Sequence, residues 1–196
     1  MKAISKLPVR FSANRLQNDL AVAGTGKWRS ILDDRPDGHW TGVALRSHDG
    51  QATTMEYAGE DYRDTPLLTA LPYARDVLQF FQCDLMRVRF LALHSGAVIP
   101  EHRDVAPGYA RPQVRLHLPI TTNEQVVFRV GGQDLRMRPG ELWFVDVTRP
   151  HAVANHGGNT RVHLVIDCVL NNWLRKLIEA GSFDPEGIAK EDRSTE

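Results

Sequence analysis

Three separated stretches of the chain hold residues that could do chemistry together. The segment "VIPEHRDVAPGYARPQVRLHLPI", residues 98–120, carries His102 and Asp104 as an H-x-D, then Arg115 and His117 in a run that otherwise has the texture of a core strand. Burying polar groups is expensive unless each finds a partner, so their placement asks for a ligand. His151 follows in "TRPHAVAN" and Arg161 opens "RVHLVIDCVL". Two histidines and one carboxylate make the facial triad of non-haem Fe(II) oxygenases, which grips iron on one side and leaves positions open for co-substrate and O₂. An H-x-D arises often by chance; the added weight comes from Arg161. A guanidinium is a planar, permanently charged, bidentate partner for a carboxylate. A dicarboxylate such as 2-oxoglutarate would chelate the iron at its keto-acid end and meet Arg161 at the other.

These residues need strands to aim them. Strand side chains alternate between faces, so "QVRLHLPI" turns Val114, Leu116, Leu118 and Ile120 one way and Arg115 and His117 the other. By the same period "RVHLVIDC" separates Val162, Leu164, Ile166 and Cys168 from Arg161, His163 and Asp167. Two strands with a polar face are what a ligand cavity requires. In "MRVRFLAL" the alternation sets Arg87, Arg89, Leu91 and Leu93 together, and Arg89 is a candidate to hold a substrate α-carboxylate; the competing reading leaves Arg87 and Arg89 facing solvent on an outer strand. His163 reads as a structural histidine, and Trp143 and Phe144 as core.

From Met86 the chain breaks into short β-rich segments, "MRVRFLAL", "QVRLHLPI", "QVVFRV", "QDLRM", "ELWFVDV", "PHAVAN" and "RVHLVIDCVL", punctuated by Gly131-Gly132 and Pro139-Gly140. That rhythm predicts a mainly β sandwich or jelly roll. Ahead of it, "ANRLQNDLAVAG" predicts a helix with Asn14 as cap and Gly24 as stop. "HWTGVALR" and "ATTMEYAG" predict a hairpin around Asp49-Gly50, and "TPLLTALPYARDVLQFF" a helix started or bent at Pro72. "NNWLRKLIEA" predicts a last helix between Asn171 and Gly181. The expected organisation is one domain over 1–196: N-terminal helices and hairpin over 1–85, the β core over 86–170, and a C-terminal helix and tail over 171–196.

Composition narrows the function classes. Twenty-four basic residues balance twenty-four acidic ones, so no broad basic surface is expected for nucleic acid or an anionic membrane. No stretch approaches the roughly 20 apolar residues a membrane helix needs, and the N-terminus has no signal-peptide core. Cys83 and Cys168 sit in apolar settings that suit buried, reduced thiols. A cytoplasmic protein acting on a small molecule is the expectation.

The elements "RFLALHSGAVIPEHRD", "VRLHLPI", "GELWFVDVTRPHAV" and "RVHLVID" together resemble the aspartyl/asparaginyl β-hydroxylase family of Fe(II)/2-oxoglutarate dioxygenases. The resemblance covers about Met86 to Asp167 and extends more weakly toward the N-terminus. Asp104 makes the chain similar to the bacterial, L-proline cis-4-hydroxylase-like members, since the animal peptide-modifying members lack that carboxylate. The resemblance implies a double-stranded β-helix, cupin-like in form, with His102, Asp104 and His151 as iron ligands and Arg115, His117 and Arg161 on the 2-oxoglutarate carboxylates. It implies hydroxylation of an aliphatic C–H in a free amino acid, or in an Asp- or Asn-like residue of a short peptide, with release of succinate and CO₂. Two other classes compete. A non-oxygenase metal-dependent cupin, an isomerase or ligand-binding regulator, fits the Gly-to-His spacing of "GAVIPEHRD" and the "HAVAN" pattern, although such proteins usually add histidines and a glutamate. A non-catalytic binding module is the third, against which the intact ligand set argues.

Overall fold

A computed structural model describes residues 2–24, 28–31, 39–59, 61–104 and 112–183. In chain order the elements are β1 (Ile4–Arg10), α1 (Ala13–Ala23), β2 (Arg29–Ser30), β3 (Trp40–Ser47), β4 (Arg63–Asp64), α2 (Pro66–Thr69), α3 (Pro72–Gln79) and β5 (Leu85–Leu93). They continue with β6 (Val98–His102), β7 (Gln113–Thr121), β8 (Val126–Val130), β9 (Gln133–Leu135), β10 (Glu141–Val145), β11 (His151–Asn155), β12 (Arg161–Val169) and α4 (Asn172–Ala180). The strands form two antiparallel sheets. The larger runs β1-β10-β7-β12-β5-β3-β2, with β4 beside β3, and the smaller runs β6-β11-β8-β9. This is the jelly-roll form of a double-stranded β-helix, mainly β with flanking helices.

Alternation along the central strands sorts the core. Val88, Phe90 and Ala92 of β5, Val114, Leu116, Leu118 and Ile120 of β7, and Val162, Leu164, Ile166 and Cys168 of β12 pack with Leu16, Leu71, Val77, Leu174 and Ile178 of the helical layer. The opposite face meets the smaller sheet, where Leu93, Trp143 and Val145 pack against Ile99, Phe128, Val130 and Val153. The helices therefore cover one side of the large sheet, and the polar residues of β5, β7 and β12 point into the space between the sheets. Among the described residues no helix is long and apolar enough to cross a membrane. Cys83 is half-buried and Cys168 buried, both as free thiols.

Helix ends follow their caps. Asn171 accepts from the Leu174 amide at 2.9 Å and Gly181 closes α4. The first helix is capped by Ser12 rather than Asn14, its hydroxyl accepting from Arg15. Pro72 divides the stretch 65–81 into α2 and α3, because a proline has no amide to continue the first helix.

Two features depart from the sequence expectations. Asp49-Gly50 does turn the chain, with Gly50 at φ +77°, but "ATTMEYAG" leaves the sheet after the Ala44 amide bonds to the Ala52 carbonyl. Strand β3 takes β4, β5 and β2 as partners instead. The other departure is β1, a strand that local signals conceal because Pro8 lies inside it. Proline is tolerated there because β1 is an edge strand, paired among the described strands with β10 and bridged besides only from Lys6 to Ser182, and because its register with β10 is interrupted between Lys6 and Arg10.

Candidate metal centre and its arginine cluster

Antiparallel pairing of β6 with β11 brings together the two histidines that lie far apart in sequence. His102, at the end of β6, stands directly opposite His151, at the start of β11. The Asp104 amide bonds to the Val147 carbonyl at 2.9 Å, which extends the pairing past the end of β6 and turns the carboxylate inward. His102, Asp104 and His151 each offer a ligand atom, all within 4.8 Å of one another. Asp104 Oδ1 is 3.4 Å from His102 Nε2 and 3.9 Å from His151 Nε2. Each ring is oriented through its other nitrogen, His102 Nδ1 donating to the Pro100 carbonyl at 2.8 Å and His151 Nδ1 to the Arg149 carbonyl at 3.0 Å. Such bonds hold the Nε2 lone pairs toward the shared point, as metal-binding histidines require. Burial lowers the His151 pKa, against the opposing hydrogen bond to Arg149, and favours the neutral ligand form. The donor set, two imidazoles and a carboxylate on one side of an open point, fits an iron of the facial-triad kind.

A second group lies on β7 and β12. Arg161 is 3 % exposed, and its Nη2 donates to His163 Nδ1 at 2.8 Å. His117 lies next to His163, with Nδ1 atoms 3.5 Å apart, and its ring packs edge-on against Phe128. Two buried nitrogens here, Arg161 Nε and His117 Nε2, have no partner among the described residues. Among the described residues Arg161 has no carboxylate at all, and burial alone draws its pKa down from 12.5 to about 9. Burial, with the Arg161 charge second, holds both His117 and His163 well below the usual histidine range, so the histidines are neutral and the arginine is the cation. A buried guanidinium without a counter-ion among the described residues, beside an imidazole nitrogen without a partner there, has the chemistry to accept an anion. His163, read from sequence as structural, is the hydrogen-bond partner of Arg161. A strand period places the two on one face but says nothing of their bond.

The third group surrounds Asp167. This carboxylate, 2 % exposed, accepts from Arg115 Nε at 2.7 Å, Arg89 Nη2 at 2.9 Å and Arg87 Nε at 3.2 Å. Tyr57 donates its hydroxyl to Asp167 at 3.0 Å while the Arg87 guanidinium stacks on its ring. Burial alone would raise Asp167; Arg115, Arg89 and Arg87 outweigh it and hold the carboxyl well below the usual carboxylate range. Burial draws Arg89 down to about 10 despite Asp167.

Arg87 and Arg89 are therefore 5 % exposed, not solvent-facing, and both line a cavity of about 400 Å³ with Arg115, Asp104 and Tyr57, facing apolar Ile31, Trp40 and Leu91. Arg115 also departs from expectation. All three of its nitrogens are engaged: Nε by Asp167, Nη1 by Asp104 and Nη2 by the Tyr57 hydroxyl at 2.6 Å. In this structure it links Asp104 to Asp167, and none of these contacts involves Arg161 or His117. Tyr57 lies in "ATTMEYAG", which reads locally as a strand, and nothing in that pattern marks it for the site.

The aspartyl/asparaginyl beta-hydroxylase family model matches residues 13–170. An L-proline cis-4-hydroxylase of Rhizobium meliloti is 29% identical over 163 residues, 81% of this chain and 58% of that protein. An L-proline cis-3-hydroxylase of a Streptomyces species is 27% identical over 176 residues, 81% of this chain and 57% of that protein. The chain thus spans less than two thirds of the length of these relatives. Two solved structures share the fold at low identity. A 2OG-Fe(II) oxygenase family oxidoreductase from Burkholderia pseudomallei is 16% identical with a TM-score of 0.56, covering 87% of this chain and 85% of that one. A Pseudomonas putida prolyl-4-hydroxylase is 15% identical with a TM-score of 0.54, covering 87% and 94%. With the family pattern running through α1, the central strands and the His-Asp-His cluster, the chain belongs to the aspartyl/asparaginyl β-hydroxylase family.

Proposed function

We propose that the protein is an Fe(II)- and 2-oxoglutarate-dependent dioxygenase that hydroxylates an aliphatic C–H of an amino acid. The observation that carries this reading is the pairing of a His-Asp-His cluster with a buried cation, Arg161, that has no counter-ion among the described residues. His102, Asp104 and His151 would hold the iron. Arg161 would take the distal carboxylate of 2-oxoglutarate in a bidentate, charge-assisted contact, and His117 Nε2 would donate to a carboxylate of the same molecule. When bound, the iron supplies the O₂ chemistry that couples decarboxylation of 2-oxoglutarate to succinate with hydroxylation of the substrate.

The substrate side is the cavity lined by Arg87, Arg89 and Arg115. Four guanidiniums, of Arg87, Arg89, Arg103 and Arg115, and three carboxylates, of Asp104, Asp146 and Asp167, line it among the described residues, and Asp104 would also be needed by the metal. The surplus positive charge suits the α-carboxylate of a free amino acid, and Arg89, whose Nε is buried without a partner, is the residue proposed to receive it. The apolar wall of Ile31, Trp40 and Leu91 suits a hydrocarbon side chain. The proline hydroxylases among its relatives support an amino-acid substrate. A non-oxygenase cupin accounts for the cluster less well, since the metal-ligating group has three members among the described residues and leaves Arg161 without a purpose.

The direct test supplies Fe(II), 2-oxoglutarate and O₂ and screens free amino acids and short peptides for substrate-dependent succinate, with product mass read in parallel. A product heavier by one oxygen, with matching succinate, is the expected result. Metal binding with no succinate from any amino acid or peptide, and no displacement of bound metal water by 2-oxoglutarate, would favour the cupin reading.

A further inference from the structure

We propose that Arg115 and Asp167 act as positioning residues that confine Asp104 to one-oxygen coordination of the metal. The proposal rests on the reading of His102, Asp104 and His151 as a metal site.

A carboxylate beyond the end of a strand has two equivalent oxygens and a terminal torsion with broad wells. The Asp104 side chain is 30 % exposed, so packing alone does not choose between its oxygens. Hydrogen bonding does. Oδ1 faces the Nε2 atoms of His102 and His151, whereas Oδ2 accepts from Arg115 Nη1. Arg115 cannot drift, because it stands directly across from Asp167 in the β7–β12 register and is held there through Nε and by the Tyr57 hydroxyl through Nη2. Asp167 is in turn immobilised by Arg87 and Arg89.

The consequence is chemical. A carboxylate that chelated through both oxygens would occupy a further metal position, and a three-residue site works only if the remaining positions stay open. Holding Oδ2 on a guanidinium prevents that. A cation close to a divalent metal is itself unfavourable, and Asp167 offsets the Arg115 charge. The same carboxylate thus joins the arginines of the cavity to the metal ligand.

Cobalt(II) titrated anaerobically into the full-length protein tests this, since its visible bands report ligand number and its affinity is read without turnover. Arg115→Lys keeps the charge but can reach only one of Asp104 and Asp167, and Asp167→Asn removes the charge that holds Arg115. Both should weaken cobalt binding roughly 10- to 100-fold, the range found when partners of metal ligands are lost, and shift the visible bands. Arg15→Lys alters an exposed ion pair with Asp76 between α1 and α3 and should leave cobalt affinity and spectrum near wild type. Thermal melting of the metal-free variants shows that they are folded; should Asp167→Asn not fold, Arg115→Lys and Arg115→Gln decide the question. Wild-type affinity and an unchanged spectrum in the folded Arg115 variants would overturn the proposal while leaving the metal site intact. Failure of the wild type itself to bind cobalt would instead remove the metal site, and this proposal with it.

Discussion

Replacing Arg161 by methionine should strengthen the ligand-free fold and destroy 2-oxoglutarate binding, two effects of opposite sign from one substitution. Arg161 is 3 % exposed, has no carboxylate among the described residues and keeps Nε without a partner. Burial lowers its pKa from 12.5 to about 9. At 1.36 kcal/mol per pKa unit, that is about 5 kcal/mol of lost solvation for the charged form, an order-of-magnitude figure for a group with almost no solvent to screen it. Methionine fills a similar volume without the charge. Part of the gain is returned because His163 Nδ1 loses its donor, which costs about 1 to 3 kcal/mol. A net stabilisation of about 2 kcal/mol is expected, which for a chain of this size raises Tm by about 4 to 8 °C. In the bound state the sign reverses. Two charge-assisted hydrogen bonds at about 1.5 to 3 kcal/mol each amount to a loss of roughly 100-fold or more in 2-oxoglutarate affinity. Arg161 binds its proton less tightly folded than unfolded, so the charged group opposes folding at neutral pH, and that penalty fades as pH rises above about 9. Differential scanning calorimetry of metal-free protein and an anaerobic 2-oxoglutarate titration of metal-loaded protein measure the two effects. A lower Tm together with unchanged 2-oxoglutarate affinity would show that Arg161 serves the fold and would refute the reasoning.

The other predictions test separate parts of the site. His102→Ala, Asp104→Ala and His151→Ala should each reduce turnover to background and weaken iron binding, because each removes one of three protein ligands; near-normal iron-dependent turnover in any two would sink the assignment. An amino acid capped by acetyl and amide groups should be a far poorer substrate than its free form, and Arg89→Ala should raise the substrate requirement roughly 10- to 100-fold; equal turnover of the capped compound would point to a peptide. Asp167 is depressed when folded, so its contribution is complete above the unfolded aspartate value of about 3.9 and is lost as pH falls toward the lower folded value. Asp167→Asn should therefore flatten the acid limb of the stability curve, and an unchanged limb in urea melts at several pH values would contradict the burial of that charge.

Local periodicity determined much of this protein. The alternation that separates Val114, Leu116, Leu118 and Ile120 from Arg115 and His117, and Val162, Leu164 and Ile166 from Arg161, His163 and Asp167, is a property of any strand, and the structure keeps it. Caps and breakers are equally local, so the ends of the last helix and the break at Pro72 could be read directly. That His102, Asp104 and His151 could meet at one point was legible because their chemistry is rare as a set. What only the tertiary structure decided is which polar group meets which. Arg87, Arg89, Arg115 and Arg161 are alike in sequence, yet three of them converge on Asp167 and the fourth has no carboxylate among the described residues, because ion pairing depends on strand order and register across long separations. The same cause brought the Tyr57 hydroxyl to Arg115 and its ring against Arg87, from a loop that reads as a strand, and set β1 at a sheet edge, where Pro8 costs no ladder hydrogen bond that the core needs. A side chain's face follows from its own neighbours in sequence, whereas its partner follows from the whole sheet.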